Sequence, residues 1–373
     1  MDGHIFSFSP DRAIHVDPSC NETLIYDDQS ANRAAMNLKD PAGTVKIPGA
    51  PAMPGLAFRL FRDGLDFPAM VSVIDAVSDA DQLELTVSVE DFAREFRHLE
   101  HSDPHEDFLF AEVRGDVVGY CMTWWARAPE GTYLYGHHVF LLPQWRGKGI
   151  CEAMLRRSER RLRELSKANP KDSPRFLQSL VEETESDLAS ALERAGYMVY
   201  RYGLRLVRHD LDNIPDLPFP EGVEVRPVKP EHHRAIIDAW NEACKDMRSQ
   251  VPISDEMFAH WRESPTFDPS MWQIAWHGDE VVGTVMNFVD AEDNERYNRK
   301  RGHPEMISVK RGWRRRGIAR ALLARSLKVL RERGMTEAAL GVDAENPSGA
   351  RHLYEGMGFR VVRRAVFYRK PMD

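Results

Sequence analysis

The sequence predicts an α/β protein with mixed sheets, built as two tandem copies of one domain. Three observations predict it. The chain has 373 residues, more than the roughly 100–200 of one ordinary domain. Arg314-x-x-Gly317-x-Ala319 has an upstream shadow in Gln144-x-x-Gly147-x-Gly149, each between a β-like and a helix-like run. Other landmarks recur around the two motifs in the same order, as internal duplication requires.

Each copy opens on an alternating strand, residues 55–60 and 222–227, with Arg59 and Arg226 in matching places. Amphipathic helices follow at 90–98 (Phe92, Phe96) and 255–261 (Met257, Phe258, Trp261), with Ser88 and Ser254 as N-caps. Residues 108–119 and 272–283 read as β-hairpins around Gly115-Asp116 and Gly278-Asp279. A strand comes next (133–141; 305–309), then the glycine motif, then a helix. That helix covers 150–165 in one copy and 320–333 in the other, where Leu322, Leu323, Leu327 and Leu330 form one apolar face. Both copies then close with a strand, a helix and a strand pair beginning at Gly196-Tyr197 and Gly358-Phe359. The reading divides the chain into an N-terminal extension (1–54), a first domain (55–212), a linker (213–221) with Pro215, Pro218 and Pro220, and a second domain (222–373).

Composition narrows the function. Hydrophobic content of 42% and charged content of 29% are those of a globular chain. A net charge of −8 argues against bulk nucleic-acid binding and favours a cationic partner through long-range steering. Cys20, Cys121, Cys151 and Cys244 lie far apart and suit reduced thiols, not a disulfide frame or zinc site. His137 and His138 are adjacent in a strand and face opposite sides, so no metal is expected. No apolar run approaches the roughly 18 residues of a membrane span, and Met1-Asp2-Gly3-His4 does not open like a signal peptide. A cytoplasmic location is the expectation.

The motif suggests a ligand. A small-residue turn between strand and helix leaves the helix's first N–H groups bare beside the positive end of its dipole, a pocket for phosphate or pyrophosphate. A Cβ at Gly147 or Gly317 would hold such a ligand away from the backbone. With these residues in this order, the chain resembles the GNAT acetyltransferase superfamily. Its two copies are similar to the tandem type found in mycothiol synthases, a likeness of architecture and not of substrate. The resemblance implies acetyl-CoA as cofactor. It implies that Ile307 and Val309 line the pantetheine arm, with Arg314, Arg316, Gly317, Ile318 and Ala319 at the phosphates. Val139, Gln144, Arg146, Gly147, Lys148 and Gly149 are the counterparts in the first copy.

The resemblance also assigns chemistry. Asn346 falls where the family contacts pantetheine, and Tyr354 where it places a general acid; the first copy has Thr184 and Leu192 there, so catalysis is expected in the second. A phenol near pKa 10 facing a thiol near 8.5 acts as a positioned donor, or with a lowered pKa. Tyr354 could equally be a core tyrosine, and Asn346 a helix N-cap before Pro347. An amine acceptor must lose a proton; Glu305 matches a catalytic glutamate of some relatives, with an exposed strand end as the plainer reading and His303 as another base. The implied function is acetyl-CoA-dependent N-acetylation of a primary amine on a small molecule or peptide. The alternatives are two catalytic domains, or an acyl-CoA sensor or scaffold without chemistry.

Overall fold

The computed structural model describes residues 44–372, apart from 98, 100, 129–130, 246–251 and 347. The first half runs β1 (Leu56–Leu60), α1 (Phe67–Asp81), α2 (Val89–Glu95), β2 (Phe108–Val113), β3 (Asp116–Arg127), β4 (Tyr133–Leu141), α3 (Ile150–Leu165), β5 (Arg175–Glu182), α4 (Ser186–Arg194) and β6 (Met198–Arg208). The second repeats it as β7 (Val223–Val225), α5 (His233–Cys244), α6 (Asp255–Trp261), β8 (Gln273–His277), β9 (Glu280–Phe288), α7 (Ala291–Arg296), β10 (Arg301–Val309), α8 (Ile318–Glu332), β11 (Glu337–Asp343), α9 (Ala350–Gly356) and β12 (Arg360–Pro371). Among the described residues helix α7 has no counterpart in the first half.

Local chemistry sets these boundaries. Ser88 accepts from Asp91 N while Asp91 accepts from Ser88 N, a reciprocal cap on α2, and Ser254 accepts from Met257 N on α6. Arg114 and Gly115 both take positive φ (57° and 94°). The first hairpin therefore turns one residue earlier than Gly115-Asp116, with the twist its strands need.

All twelve strands form one sheet, in the order β1-β2-β3-β4-β5-β12-β6-β11-β10-β9-β8-β7. Its centre departs from the sequence reading. Neither half closes with a strand pair of its own; each supplies one strand, and the two are exchanged. β12 lies antiparallel to β5, from Ala365↔Glu182 to Pro371↔Phe176, while β6 lies antiparallel to β11, from Ala338↔Arg208 to Asp343↔Gly203. Strands β6 and β12 pair with each other and make the sheet continuous.

On one face, α3 and α4 bury Met154, Leu155, Leu162 and Leu192 against Tyr135, Val139, Leu177 and Val181. Helices α8 and α9 bury Leu323, Leu327, Leu330 and Tyr354 against Leu340 and Val342, together with Leu204 and Leu206 from the first half's β6. Helices α1 and α2 cover the other face of the first half, and α5 that of the second. Residues 44–54 also belong to the first half: Val45 N donates to Phe58 O, and Ile47 is buried in the α3–α4 core. The rest of the expected extension, 1–43, lies outside the described residues. Among the described residues no helix is long and apolar enough to cross a membrane, and no group of side chains could hold a metal ion.

Candidate active site

The site begins where β10 leaves β11. The two strands pair in parallel at Arg301↔Glu337 and Gly302↔Ala338, and no further pair joins them along the rest of their length. Along the same stretch β10 carries a bulge: its register to β9 shifts between Glu305 and Ser308, and Met306 takes φ 47°. Thr284 Oγ1 holds the bulge by donating to Met306 O (2.7 Å). A bulge re-aims the backbone groups of a strand and often stands next to a reacting centre. In the first half, β4 pairs with β3 without a break from Gly119↔Leu141 to Arg127↔Tyr133.

Beyond the bulge the chain makes one 3-10 turn, Arg311–Trp313, and enters α8 at Gly317, which sits at φ 85° with open space where a Cβ would be. No side chain caps this helix. A cleft of about 1020 Å³ opens here, lined by Ile307 and Val309 on the strand, Arg314, Gly317, Ile318 and Ala319 on the loop and helix start, and Asn346 and Tyr354 opposite. Eight of the predicted residues thus meet at one cleft. Arg316 instead folds over the Trp313 ring (4.8 Å). Arg311, Arg315 and Arg320 line the wall, which sequence reasoning missed. The arginine run announced the charge but not which side chains turn inward.

The structure also corrects the register of the repeat. Gly149 and Gly317 are the residues that precede α3 and α8, both at positive φ. Arg146 Nε donates to Leu141 O (3.2 Å) as Arg314 Nε does to Val309 O (3.0 Å), and Lys148 covers Trp145 as Arg316 covers Trp313. Gly149, not Gly147, therefore corresponds to Gly317, because the left-handed residue before the helix fixes the alignment and the spacing of small residues does not. Gly147 corresponds to Arg315, and the pair share φ 67° and 62°. A left-handed non-glycine residue costs about 1–2 kcal/mol, so Arg315→Gly is expected to raise stability by about 1 kcal/mol. Denaturant unfolding, with urea as the variable, measures it.

Tyr354 is 7% exposed, and its ring meets Phe359 at 62° with centroids 6.3 Å apart. Burial, and then the charge of Glu305, push its phenol above the ordinary tyrosine range. Of the two options for a donor, the surroundings give the fully protonated phenol and not the lowered pKa. That coupling also places Glu305 in electrical reach of Tyr354. His303 is fully buried, and burial together with Arg301, Arg205 and Arg299 drives its pKa well below the usual histidine range, which makes it a poor proton acceptor. Asn346 does not cap α9, whose N-cap is Gly349. Its Oδ1 accepts from Ser348 N (2.9 Å) and Ser348 Oγ (2.6 Å), which shapes the turn leading into the helix.

The first-half equivalent is smaller and differently charged. Its cleft is about 220 Å³, lined by Val139, Arg146 and Gly147 but also by Asp81, Glu152, Glu185 and Asp187. Arg146 is bound to Asp81 by two bonds (2.7 and 2.6 Å). Pro51 lies 3.7 Å from where a Cβ on Gly149 would sit. Gln144 and Lys148 are not among the lining residues. Leu192, fully buried, occupies the Tyr354 position: Tyr197 N donates to Leu192 O as Phe359 N does to Tyr354 O.

The profile of the Acetyltransferase (GNAT) family matches residues 74–170 and 234–359, more than half of the chain and once in each half. The chain belongs to the GNAT acetyltransferase family. Its relatives include a mycothiol acetyltransferase of Streptomyces bingchenggensis, 27% identical over 276 residues that span 70% of this chain and 80% of that protein. Another, from Streptomyces scabiei, is 30% identical over 169 residues, 44% of this chain and 53% of that protein. Among solved structures, a GCN5-related N-acetyltransferase from Sphaerobacter thermophilus superposes with a TM-score of 0.68 and 26% identity, covering 86% of this chain and 96% of that one. As a GNAT acetyltransferase, the enzyme takes acetyl-CoA as its acyl donor. The second-half cleft fits that donor, with Gly317 open to a close approach and cationic side chains at the helix N-terminus.

Proposed function

We propose that the second half catalyses transfer of an acetyl group from acetyl-CoA to a primary amine of a small molecule or peptide, and that the first half is structural. The observation that carries this reading is the bulged strand facing a buried phenol: Ile307 and Val309 beside the bulge line the same cleft as Tyr354. The first half has an unbroken strand and Leu192.

Bound there, acetyl-CoA supplies an activated thioester. The chain's own groups do the rest. The N–H groups at the start of α8, with Arg314 and Arg315, hold the phosphates. The bulge turns the Met306–Ile307 backbone toward the pantetheine arm, and Asn346 bounds the arm from the α9 side. Glu305 accepts a proton from the incoming amine, directly or through water. Tyr354 Oη donates a hydrogen bond to the departing sulfur, and its raised pKa keeps that proton in place. In the first half, four carboxylates around the loop and Pro51 over Gly149 oppose a phosphate.

Calorimetric titration of the protein with acetyl-CoA tests the division of labour. One site per chain is expected, lost in Gly317→Glu and kept in Gly149→Glu, its structural counterpart. Two sites would make the first half a cofactor domain, and no binding would remove the acetyltransferase reading of the cleft.

A further inference from the structure

Tyr354 donates to a departing sulfur only where α9 puts it, and α9 is a helix of seven residues. A helix this short has little stability of its own, so its position depends on what holds its ends. It starts after Gly349 without a side-chain cap and has no basic residue in its last turn. The last carbonyls of a helix find no partner within it, and here a partner comes from the other half of the chain. Arg208 ends β6, the strand that the first half lends to the second. Strand alternation puts it on the same face as Leu204 and Leu206, which lie in the α8–α9 core. Arg208 is 7% exposed, and its three nitrogens donate to backbone carbonyls: Nη1 to Met357 O (2.6 Å), Nε to Asp210 O (2.6 Å) and Nη2 to Asn213 O (2.8 Å). Met357 is the residue that closes α9. Its own N–H and that of Phe359 donate to Tyr354 O (3.0 and 3.1 Å). Gly358 between them takes φ 89°, and a Cβ there would stand 3.5 Å from the Arg208 guanidinium. One cation thus holds the linker, the turn after α9 and, through Met357, the backbone of Tyr354.

The matching contact in the first half is of another kind. Lys370, near the end of β12, donates to Ala195 O (2.8 Å), and Ala195 closes α4. Each half therefore sends a cation to the end of the other's last helix. Lys370 makes its other bonds to the Glu159 carboxylate (2.9 and 3.1 Å), and α4 has Arg194 in its own last turn. An ammonium turns on a flexible stem, whereas a planar guanidinium fixes the directions of its donors. The rigid grip falls on the half that carries the phenol, and the ammonium on the half that has Leu192 in its place.

We infer that Arg208 of the first half is a positioning residue for acetyl transfer in the second: it holds α9 so that the Tyr354 hydroxyl stays aligned with the reacting thioester. The inference rests on the acid role proposed for Tyr354. Arg208 touches neither donor nor acceptor and acts only through the helix end that it grips. A misplacement of about 1 Å at a reacting group costs about 10²-fold in rate, so a small slackening of α9 is enough to show in turnover. The second half's chemistry then depends on a side chain that the other copy supplies.

The test is a mutant cycle in the full chain, read as release of CoA thiol from acetyl-CoA with the best acceptor in a panel of amino acids, diamines and dipeptides. Arg208→Met is expected to lower kcat by about tenfold to a hundredfold, with acetyl-CoA affinity as in the parent. Arg208→Lys, which keeps a donor for Met357 O, should recover part of the loss. On a Tyr354→Phe background Arg208→Met should cost almost nothing further, because residues that act as one unit are not additive. Lys370→Met is the matched lesion at the other helix end; it should lower the unfolding midpoint as Arg208→Met does and leave kcat as in the parent. An unchanged kcat in Arg208→Met overturns the assignment. So does the same fractional loss with and without the Tyr354 hydroxyl, or an equal loss of kcat in Lys370→Met. If Arg208→Met does not fold, Arg208→Lys runs through the same cycle and decides in its place. A parent without turnover, or an unchanged kcat in Tyr354→Phe, is a failure of the proposed function, and the role of Arg208 falls with it. A loss in Tyr354→Phe beside none in Arg208→Met removes the positioning role alone.

Discussion

Tyr354→Phe is expected to lower kcat by about 10²–10⁴-fold, the usual contribution of a positioned acid, with acetyl-CoA affinity unchanged. The substitution deletes one oxygen. The ring keeps its edge contact with Phe359 and its place in the α8–α9 core, so loss of fold is not the expected route. The phenol is held above its ordinary range by burial and by Glu305, so its donating form persists as pH rises past 10. Any alkaline loss of kcat in the parent enzyme that belongs to this group therefore falls above pH 10, and Tyr354→Phe should abolish that limb. Steady-state kinetics across pH, beside a calorimetric affinity for acetyl-CoA, decide it. Unchanged kcat would make Tyr354 a core tyrosine and move the acid elsewhere.

What the sequence made legible was local. Ser88 and Ser254 announce helix starts because a short hydroxyl side chain competes for N–H groups within three residues. Strand 133–141 and helix 150–165 follow from periodicity, and the structure gives Tyr133–Leu141 and Ile150–Leu165. Helix α1 had its own signal in Phe67, Met70, Val73, Ile74 and Val77, an apolar stripe at helical spacing that the reading passed over. The two-residue error in the repeat has a physical source as well. Small residues recur at several spacings around the motif, and backbone conformation selects Gly149 and Gly317. At the cleft, the glycine turn pointed to Gly317, and the family resemblance built on that motif implied Ile307, Val309, Asn346 and Tyr354. The bulge at Met306 and the exchange of β6 and β12 left no such mark. Each depends on which strand lies alongside, and alternation over 198–207 reveals a strand without revealing its neighbour.

The strand exchange leads to the other large effect. Cutting the chain between residues 212 and 213 is expected to leave the C-terminal fragment, made alone, unfolded and inactive. That fragment would lose Leu204, Leu206 and Leu211, all buried in the α8–α9 core. At about 1.5–3 kcal/mol per buried leucine, the loss is comparable to the roughly 5–15 kcal/mol that holds a typical domain together. It would also free the edge of β11 along the ladder from Ala338 to Asp343, and strip β12 of both neighbours, β5 and β6. Unpaired strand edges of this kind promote aggregation. Made together, the fragments 44–212 and 213–373 should associate through the same ladders and recover acetyl transfer. Circular dichroism of each fragment, and activity of the co-purified pair, are the measurements. A C-terminal fragment that folds and works alone would show that β6 is dispensable to the second half. The expected result explains why a half whose own cleft is small, acidic and without a phenol is retained: it supplies a strand to the other half's core.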